Sequence, residues 1–141
     1  MERDSVVSYS TNGGSATPFK VVMLGDTAIG KTCIVQRFVK GIYSDNTRAT
    51  NAQDFQSKTM QVLGFGEKSS IRLQIWDTAG GEQFRSLTPI YYKNAKAICL
   101  CYDSTNERSF DALSFWVNQI QNQVDGDYTI FLVSTKCDLF D

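Results

Sequence analysis

Residues 25–32 read GDTAIGKT, between the apolar run 19–24 and the amphipathic run 31–40. The spacing G-x-x-x-x-G-K-[ST] is typical of a phosphate-binding loop, in which backbone N–H groups surround a phosphate, the lysine reaches its outer oxygens and the last hydroxyl ligates Mg²⁺. A strand-to-helix turn could match these letters by chance, but both flanking patterns favour the phosphate-binding interpretation. The predicted phosphate contacts are the loop and the next residue: Gly25, Asp26, Thr27, Ala28, Ile29, Gly30, Lys31, Thr32 and Cys33.

Length, composition and net charge argue against several classes of protein. The chain has 141 residues, of which 42% are hydrophobic, enough for one domain with one core. A formal net charge of −1 without any run of Lys or Arg argues against nucleic-acid binding and against a polybasic membrane anchor. No apolar stretch reaches the ~20 residues that span a bilayer, and residues 1–4 do not resemble a signal peptide. We therefore expect a protein of the cytosol.

Residues 1–17 are rich in Ser, Thr and Asn and contain the pair Gly13-Gly14. Such a composition cannot bury a core, so we expect a flexible N-terminal arm followed by one domain over 18–141. The four cysteines lack metal-ligand spacing, and the chain has no histidine to complete a zinc site. We expect them to be reduced and mostly buried.

The pattern of elements predicts an α/β fold. A helix over 31–40 places Ile34, Val35, Phe38 and Val39 on one stripe, and the polar segment 42–51 is expected to be a mobile loop. Strands over 54–63 and 71–77 are joined by a hairpin connection at 64–68. Alternation in the second strand places Trp76 on its polar face.

The second half of the chain alternates strands and helices. Gly80-Gly81 and Pro89 predict that any helix over 82–94 is short. A strand over 97–102 precedes a capping box at 104–107 and one helix, whose apolar positions are Phe110, Leu113, Val117, Ile120 and Val124. A last strand covers 128–133. This order favours a mainly parallel sheet with helices on both faces and a ligand at the carboxyl ends of the strands.

A second motif, Asp77-Thr78-Ala79-Gly80, closes a predicted strand. A carboxylate there can hold Mg²⁺ through a water molecule, while the Gly80 N–H meets a γ-phosphate. Taken alone the tetrapeptide could be an ordinary turn. Its distance from a phosphate-binding loop favours the metal-binding interpretation.

Together with Thr50, the segments IWDTAG at 75–80 and TKCD at 135–138 occur in the order found in the Ras superfamily of small GTPases. More narrowly, the chain resembles a Rab, through segments that distinguish Rabs from Ras and Rho proteins. These are DF at 54–55, LQIW at 73–76, FRSLT at 84–88, YYKNA at 91–95 and LCYD at 100–103. The resemblance implies the P-loop small-GTPase fold with GTP, GDP and Mg²⁺ as ligands.

The resemblance also implies roles for individual residues. Thr50 matches the switch I threonine that reaches Mg²⁺ and senses the γ-phosphate, and Lys31, Thr50 and Gly80 take part in hydrolysis. Tyr43 matches the aromatic that covers the guanine base. In the segment that begins at Thr135, Lys136 would lie along the base and Asp138 would accept its N–H groups, which selects guanine over adenine. The aromatic triad presented to effectors is matched by Phe55, Trp76 and Tyr91; core packing is the alternative for these rings.

Three departures from the family alter these expectations. Gly81 stands where most members have the glutamine that orients the attacking water, so intrinsic hydrolysis should be slow. Asn51-Ala52 replaces the usual isoleucine-glycine pair in switch I, which leaves effector choice open. The chain ends at Asp141, before the family's last strand, last helix and prenylated tail, so we expect exposed apolar surface and no direct membrane anchor.

Four hypotheses follow. The first is a Rab-like GTP switch in membrane trafficking, with effectors, an exchange factor and a GTPase-activating protein as partners. The second is a GTP-binding effector scaffold that hardly hydrolyses GTP, which Gly81 favours. A P-loop ATPase or kinase is the third, and Asp138 argues against it. The fourth is a chain that does not fold well enough to bind nucleotide.

Overall fold

The computed structural model describes residues 17–45, 54–64, 67–78 and 89–139. Within these ranges, five strands and four helices follow one another as β1 (Phe19–Leu24), α1 (Lys31–Lys40), β2 (Asp54–Gly64), β3 (Glu67–Asp77), α2 (Pro89–Tyr92), β4 (Ala97–Asp103), α3 (Glu107–Asp111), α4 (Leu113–Gln123) and β5 (Thr129–Thr135). A 3-10 turn, Cys137–Leu139, follows β5. The predicted α/β class is confirmed. All of the predicted N-terminal arm except Thr17 lies outside the described residues.

The strands form one sheet in the order β2-β3-β1-β4-β5. β2 and β3 pair antiparallel as a hairpin, whereas β1 pairs parallel with both β3 and β4, and β4 pairs parallel with β5. Parallel neighbours require crossover connections, and these carry the helices. The mainly parallel sheet expected from the sequence is therefore observed, with β1 at its centre.

Helices cover both faces of the sheet. On one face Val22 and Leu24 of β1 pack in a cluster with Trp116 and Ile120 of α4. On the other face Met23 packs with Val35 of α1. Alternate residues of β1 therefore pack against helices on opposite faces of the sheet. A strand that is covered on both faces in this way has an almost continuously apolar sequence.

The helix predicted from residue 107 onward differs from the structure in two ways. It is broken at Ala112 into α3 and α4, and Phe110 is exposed rather than buried. The predicted capping box at 104–107 is wrong, because the N-cap is Asn106, whose side chain accepts from the Arg108 N–H. Thr105 donates to Asp103 instead, which removes it from capping.

Smaller corrections concern β3, α1 and the cysteines. β3 begins at Glu67, so the hairpin connection is shorter than predicted. Phe38 is exposed, and the Lys58 ammonium lies 4.4 Å from its ring centroid. Cys101 is buried, but Cys137 is exposed, and all four cysteines are free thiols.

Within the described ranges, no helix has the length and apolar content needed to cross a bilayer.

β5 occupies an edge of the sheet and is poorly covered. Ile130, Phe131 and Leu132 are 42%, 52% and 61% exposed. Their alternation places Phe131 on the opposite face from the other two, so both faces of this strand present apolar surface. Exposed apolar surface is therefore found at β5.

The connection from β1 to α1 passes closely over the end of β4. Gly25 has φ +143°, and a Cβ built on it would lie 2.3 Å from the Cys101 carbonyl oxygen and 2.5 Å from Ile29 Cδ1. Gly41 ends α1 with φ +72°, yet a Cβ there would meet no atom within 4 Å. Both positions require positive φ, but only Gly25 also requires the absence of a side chain.

We predict that Gly25→Ala lowers the free energy of unfolding by at least ~3 kcal/mol, because the added methyl group would overlap backbone that cannot move cheaply. Gly41→Ala, the matched control, should cost only ~1–2 kcal/mol, the penalty for a left-handed non-glycine residue. Urea unfolding of both variants measures the difference. Equal losses would show that crowding at Gly25 does not constrain the loop.

Candidate nucleotide-binding site

The loop 25–32 leaves the start of α1 available to a ligand. Gly30 is the N-cap of α1, with φ +102° and no side-chain capping bond. The first N–H groups of a helix have no partner within the helix and carry its positive partial charge. Their arrangement at the end of this loop is suited to binding an anion.

Lys31 adds a full positive charge at the same place. Its side chain is only 5% exposed, and its ammonium donates to the carbonyl oxygens of Gly25 at 2.8 Å and Asp26 at 2.6 Å. Burial lowers the pKa of Lys31, and the nearby carboxylate of Asp77 opposes that shift. A cation at a helix N-terminus is electrostatically unfavourable, so the site as a whole favours a strongly negative ligand.

Thr32 and Asp77 meet where the carboxyl ends of β1 and β3 lie side by side. The Thr32 hydroxyl donates to the Asp77 carboxylate at 2.6 Å, and β1 pairs with β3 so that Met23 lies opposite Asp77. The Thr78 hydroxyl donates to the Met23 carbonyl oxygen and so fixes the end of β3. A hydroxyl and a carboxylate are the oxygen ligands that Mg²⁺ prefers.

These two oxygens fit a magnesium ion that is shared with a ligand's phosphates. The part of the chain that the structure describes contains no group of three or more His, Cys, Asp or Glu side chains able to hold a metal. Mg²⁺ commonly takes one or two protein oxygens and completes its shell with water and phosphate oxygens. Thr32 and Asp77 would supply the protein's share.

Cys101 lies close to Lys31 and Asp77, but its thiol is unreactive. Burial is the main reason that its pKa rises to about 12. The thiol is therefore neutral at physiological pH and is a poor nucleophile. Its backbone carbonyl, which crowds Gly25, matters more to the loop than its sulfur.

The segment 135–138 lies against the outer side of the loop. The Thr135 hydroxyl donates to the Ile29 carbonyl oxygen and lies 3.1 Å from that of Tyr102. The Lys136 ammonium donates to the Ala28 carbonyl oxygen at 2.9 Å. Asp138 is exposed within the 3-10 turn. Parallel pairing of β4 and β5 brings this segment beside the phosphate-binding loop.

Tyr43 and Cys33 flank the same region. Tyr43 follows the end of α1 and is 65% exposed, and a hydrogen bond to the Asp45 carboxylate is the main reason that its pKa is raised. Cys33 is half-buried on the first turn of α1. An exposed ring near the mouth of the site is free of the core role that usually explains a tyrosine.

The three aromatic residues predicted to meet effectors form one cluster, with Phe55 on β2, Trp76 on β3 and Tyr91 on α2. Ring centroids are 5.0 Å apart both between Phe55 and Trp76 and between Trp76 and Tyr91. Phe55 is exposed and the other two are half-buried. Lys20, which no sequence motif singles out, lies beside them: its ammonium is 4.6 Å from the Trp76 ring centroid and donates to the Lys93 carbonyl oxygen.

Some predicted site residues lie outside the described ranges, namely Thr50, Gly80 and Gly81. Conversely, the sequence reasoning gave Asp103 no role, although its carboxylate lies 2.7 Å from the Lys136 ammonium. Its position at the carboxyl end of a parallel strand was the available signal, since ligands of such sheets bind at those ends.

Comparison with known proteins agrees with this arrangement. The family model described as "Ras family" matches residues 20–141. The chain is 42% identical to the Ras-related protein Rab-30 of Homo sapiens over 121 residues, which cover 86% of this chain and 58% of the relative. It is 35% identical to the human Ras-related protein Rab-19 over 123 residues, 87% of this chain and 55% of the relative.

A plant relative, the Ras-related protein RABA4d of Arabidopsis thaliana, is 39% identical over 121 residues, which cover 86% of this chain and 53% of the relative. The chain thus spans little more than half the length of these curated relatives. The family model nevertheless covers the loop, both magnesium-binding candidates and the segment 135–138. With the sheet order and the loop geometry described above, these matches show that the chain belongs to the Ras family and is a Rab-like small GTPase.

Proposed function

We propose that this chain binds Mg·GTP and Mg·GDP and works as a Rab-like molecular switch in membrane trafficking. The observation that carries the proposal is the meeting of three groups at one strand end: the Lys31 ammonium, the Thr32 hydroxyl and the Asp77 carboxylate. GTP, GDP and Mg²⁺ are the ligands of this family, and the three groups match their charge and coordination chemistry.

Each residue has a distinct part in binding. Lys31 and the N–H groups at the start of α1 hold the phosphates. The hydroxyls of Thr32 and Thr50 would bind the metal directly and Asp77 would bind it through a water molecule; the metal neutralises phosphate charge when bound. Lys136 lies along the base and Asp138 accepts from it. Thr50 and Gly80 sense the γ-phosphate, so that both switch segments change when it leaves.

The partners proposed are a Rab-type effector, an exchange factor and a GTPase-activating protein. The Phe55, Trp76 and Tyr91 rings support an effector surface, because they form a contiguous aromatic face that is partly open to solvent. A monomer located in the cytosol, associated with a membrane only where a prenylated tail is present, completes the proposal.

A second candidate is a scaffold that binds GTP and effectors but hardly hydrolyses the nucleotide. Gly81 favours it, because glycine has no side chain to orient the attacking water. An activating protein could still restore hydrolysis, since a transferred arginine is typically worth ~10³–10⁵ in rate. The two candidates share the binding site and differ only in turnover.

The magnesium site is tested with Thr32→Val, which replaces the hydroxyl by a methyl group of similar size. Wild-type protein should bind GDP at least ~10-fold more tightly with Mg²⁺ than with EDTA, and the variant should lose most of this difference. Thr59→Val, on the exposed side of β2, is the matched control and should behave as wild type. Unchanged magnesium dependence in Thr32→Val would remove Thr32 from the metal site.

Turnover is tested with Gly81→Gln in single-turnover GTP hydrolysis. The variant should hydrolyse bound GTP roughly 10-fold faster or more than wild type, because a water-orienting side chain is restored. Gln83→Ala serves as the control for the neighbouring glutamine and should leave the rate unchanged. If wild type is already as fast as Gly81→Gln, the missing glutamine does not limit hydrolysis and the argument from Gly81 for the scaffold candidate falls.

A further inference from the structure

The carboxylate of Asp103 closes β4 and is nearly inaccessible to water. One of its oxygens lies 2.7 Å from the Lys136 ammonium, and the two side chains are 7% and 35% exposed respectively. The other oxygen accepts from the Thr105 N–H at 2.9 Å and from the Thr105 hydroxyl at 2.6 Å. Both carboxylate oxygens are therefore engaged, each in a different direction.

The backbone of Asp103 is fixed as firmly as its side chain. Its N–H donates to the hydroxyl of buried Ser109 at 2.9 Å, and its carbonyl oxygen accepts from the Asn106 N–H at 3.0 Å. Asp103 also lies opposite Thr135 in the pairing of β4 with β5. The carboxylate is thus held in place before any ligand arrives, which reduces the ordering cost of binding.

Lys136 connects this carboxylate to the phosphate-binding loop. Its ammonium donates to the Ala28 carbonyl oxygen at 2.9 Å, so one side chain spans the end of β4 and the loop 25–32. Ala28 and Lys136 both have left-handed backbone conformations, with φ 61° and 56°. Non-glycine residues adopt this conformation only where their surroundings enforce it, and such residues concentrate at functional sites.

The charge of Asp103 is maintained at neutral pH. Burial raises the pKa of Asp103, but the hydrogen bonds from Lys136 and Thr105 outweigh it and hold the pKa below its ordinary value. A charged partner fixes an ammonium more strongly than a neutral one, because charge-assisted hydrogen bonds are shorter and stronger.

We propose that Asp103 is a positioning residue for guanine-nucleotide binding: its carboxylate holds the Lys136 ammonium so that the lysine side chain lies along the purine ring. Asp103 itself does not touch the ligand. The inference rests on the proposed function, since it assumes that a guanine nucleotide occupies the site. The competing interpretation is that the ion pair between Asp103 and Lys136 only stabilises the contact between β4 and the end of β5.

A double-mutant cycle on Asp103→Asn and Lys136→Met separates the two accounts. Asparagine keeps the shape of the side chain and an oxygen for Thr105 but removes the charge facing Lys136. Dissociation of a fluorescent GDP analogue should be about 10-fold faster in Asp103→Asn than in wild type. In the Lys136→Met background the same substitution should accelerate dissociation by less than ~2-fold, because its target is gone.

Asp125→Asn, which removes an exposed carboxylate in the loop before β5, is the matched control and should not change dissociation. If Asp103→Asn fails to fold, Thr105→Val loosens the same carboxylate from its other side. That variant should accelerate dissociation by about 2–3-fold, again only when Lys136 is present.

If Asp103→Asn accelerates dissociation of the GDP analogue equally in the wild-type and Lys136→Met backgrounds, Asp103 only stabilises the sheet. That result would overturn the proposal. Unchanged dissociation in Asp103→Asn would overturn it as well, while leaving the proposed function intact. If wild-type protein binds no GDP, the proposed function and this inference both fall.

Discussion

The structure of the site depends on one buried charge. The Lys31 ammonium lies at the N-terminus of α1, where the helix dipole opposes a cation, and it is almost removed from water. Such a charge costs several kcal/mol unless it is compensated. Two loop carbonyls and Asp77 provide part of that compensation, and a polyphosphate would provide the rest. The close approach of Gly25 to β4 follows from the need to curl the loop around this ammonium.

Residues from the second half of the chain hold the loop 25–32 through hydrogen bonds. Thr135 and Lys136 donate to the carbonyl oxygens of Ile29 and Ala28, and Asp103 holds Lys136 from behind. The segments proposed to bind phosphate and to recognise the base are thus joined by hydrogen bonds, although they lie more than 100 residues apart in sequence. A ligand that contacts both sides would stabilise the contact between them, which links nucleotide binding to the stability of the sheet.

Much of the fold and of the candidate site could be predicted from the sequence, because the local sequence signals are strong. The loop 25–32 has a fixed spacing, the run 19–24 is apolar except for Lys20, and alternation predicted Trp76 on the polar face of β3. The position of Asp103 at a strand end could be read from the sequence, but its ion pair with Lys136 could not, because that contact arises from the register of β4 with β5. The break at Ala112 carries no glycine or proline signal, and the competition of Asp103 for Thr105 decided the cap of α3.

The central claim is that the site selects a guanine nucleotide, and parallel titrations of the purified chain with GDP and ADP in excess Mg²⁺ test it most directly. In the proposed binding mode, the exposed Asp138 carboxylate would accept from the N–H groups that guanine has and adenine lacks at the same edge. Because a site built to hydrogen-bond a ligand rejects one lacking the matching groups, GDP should bind at least ~100-fold more tightly than ADP. Equal affinities, or binding of neither nucleotide, would contradict the account.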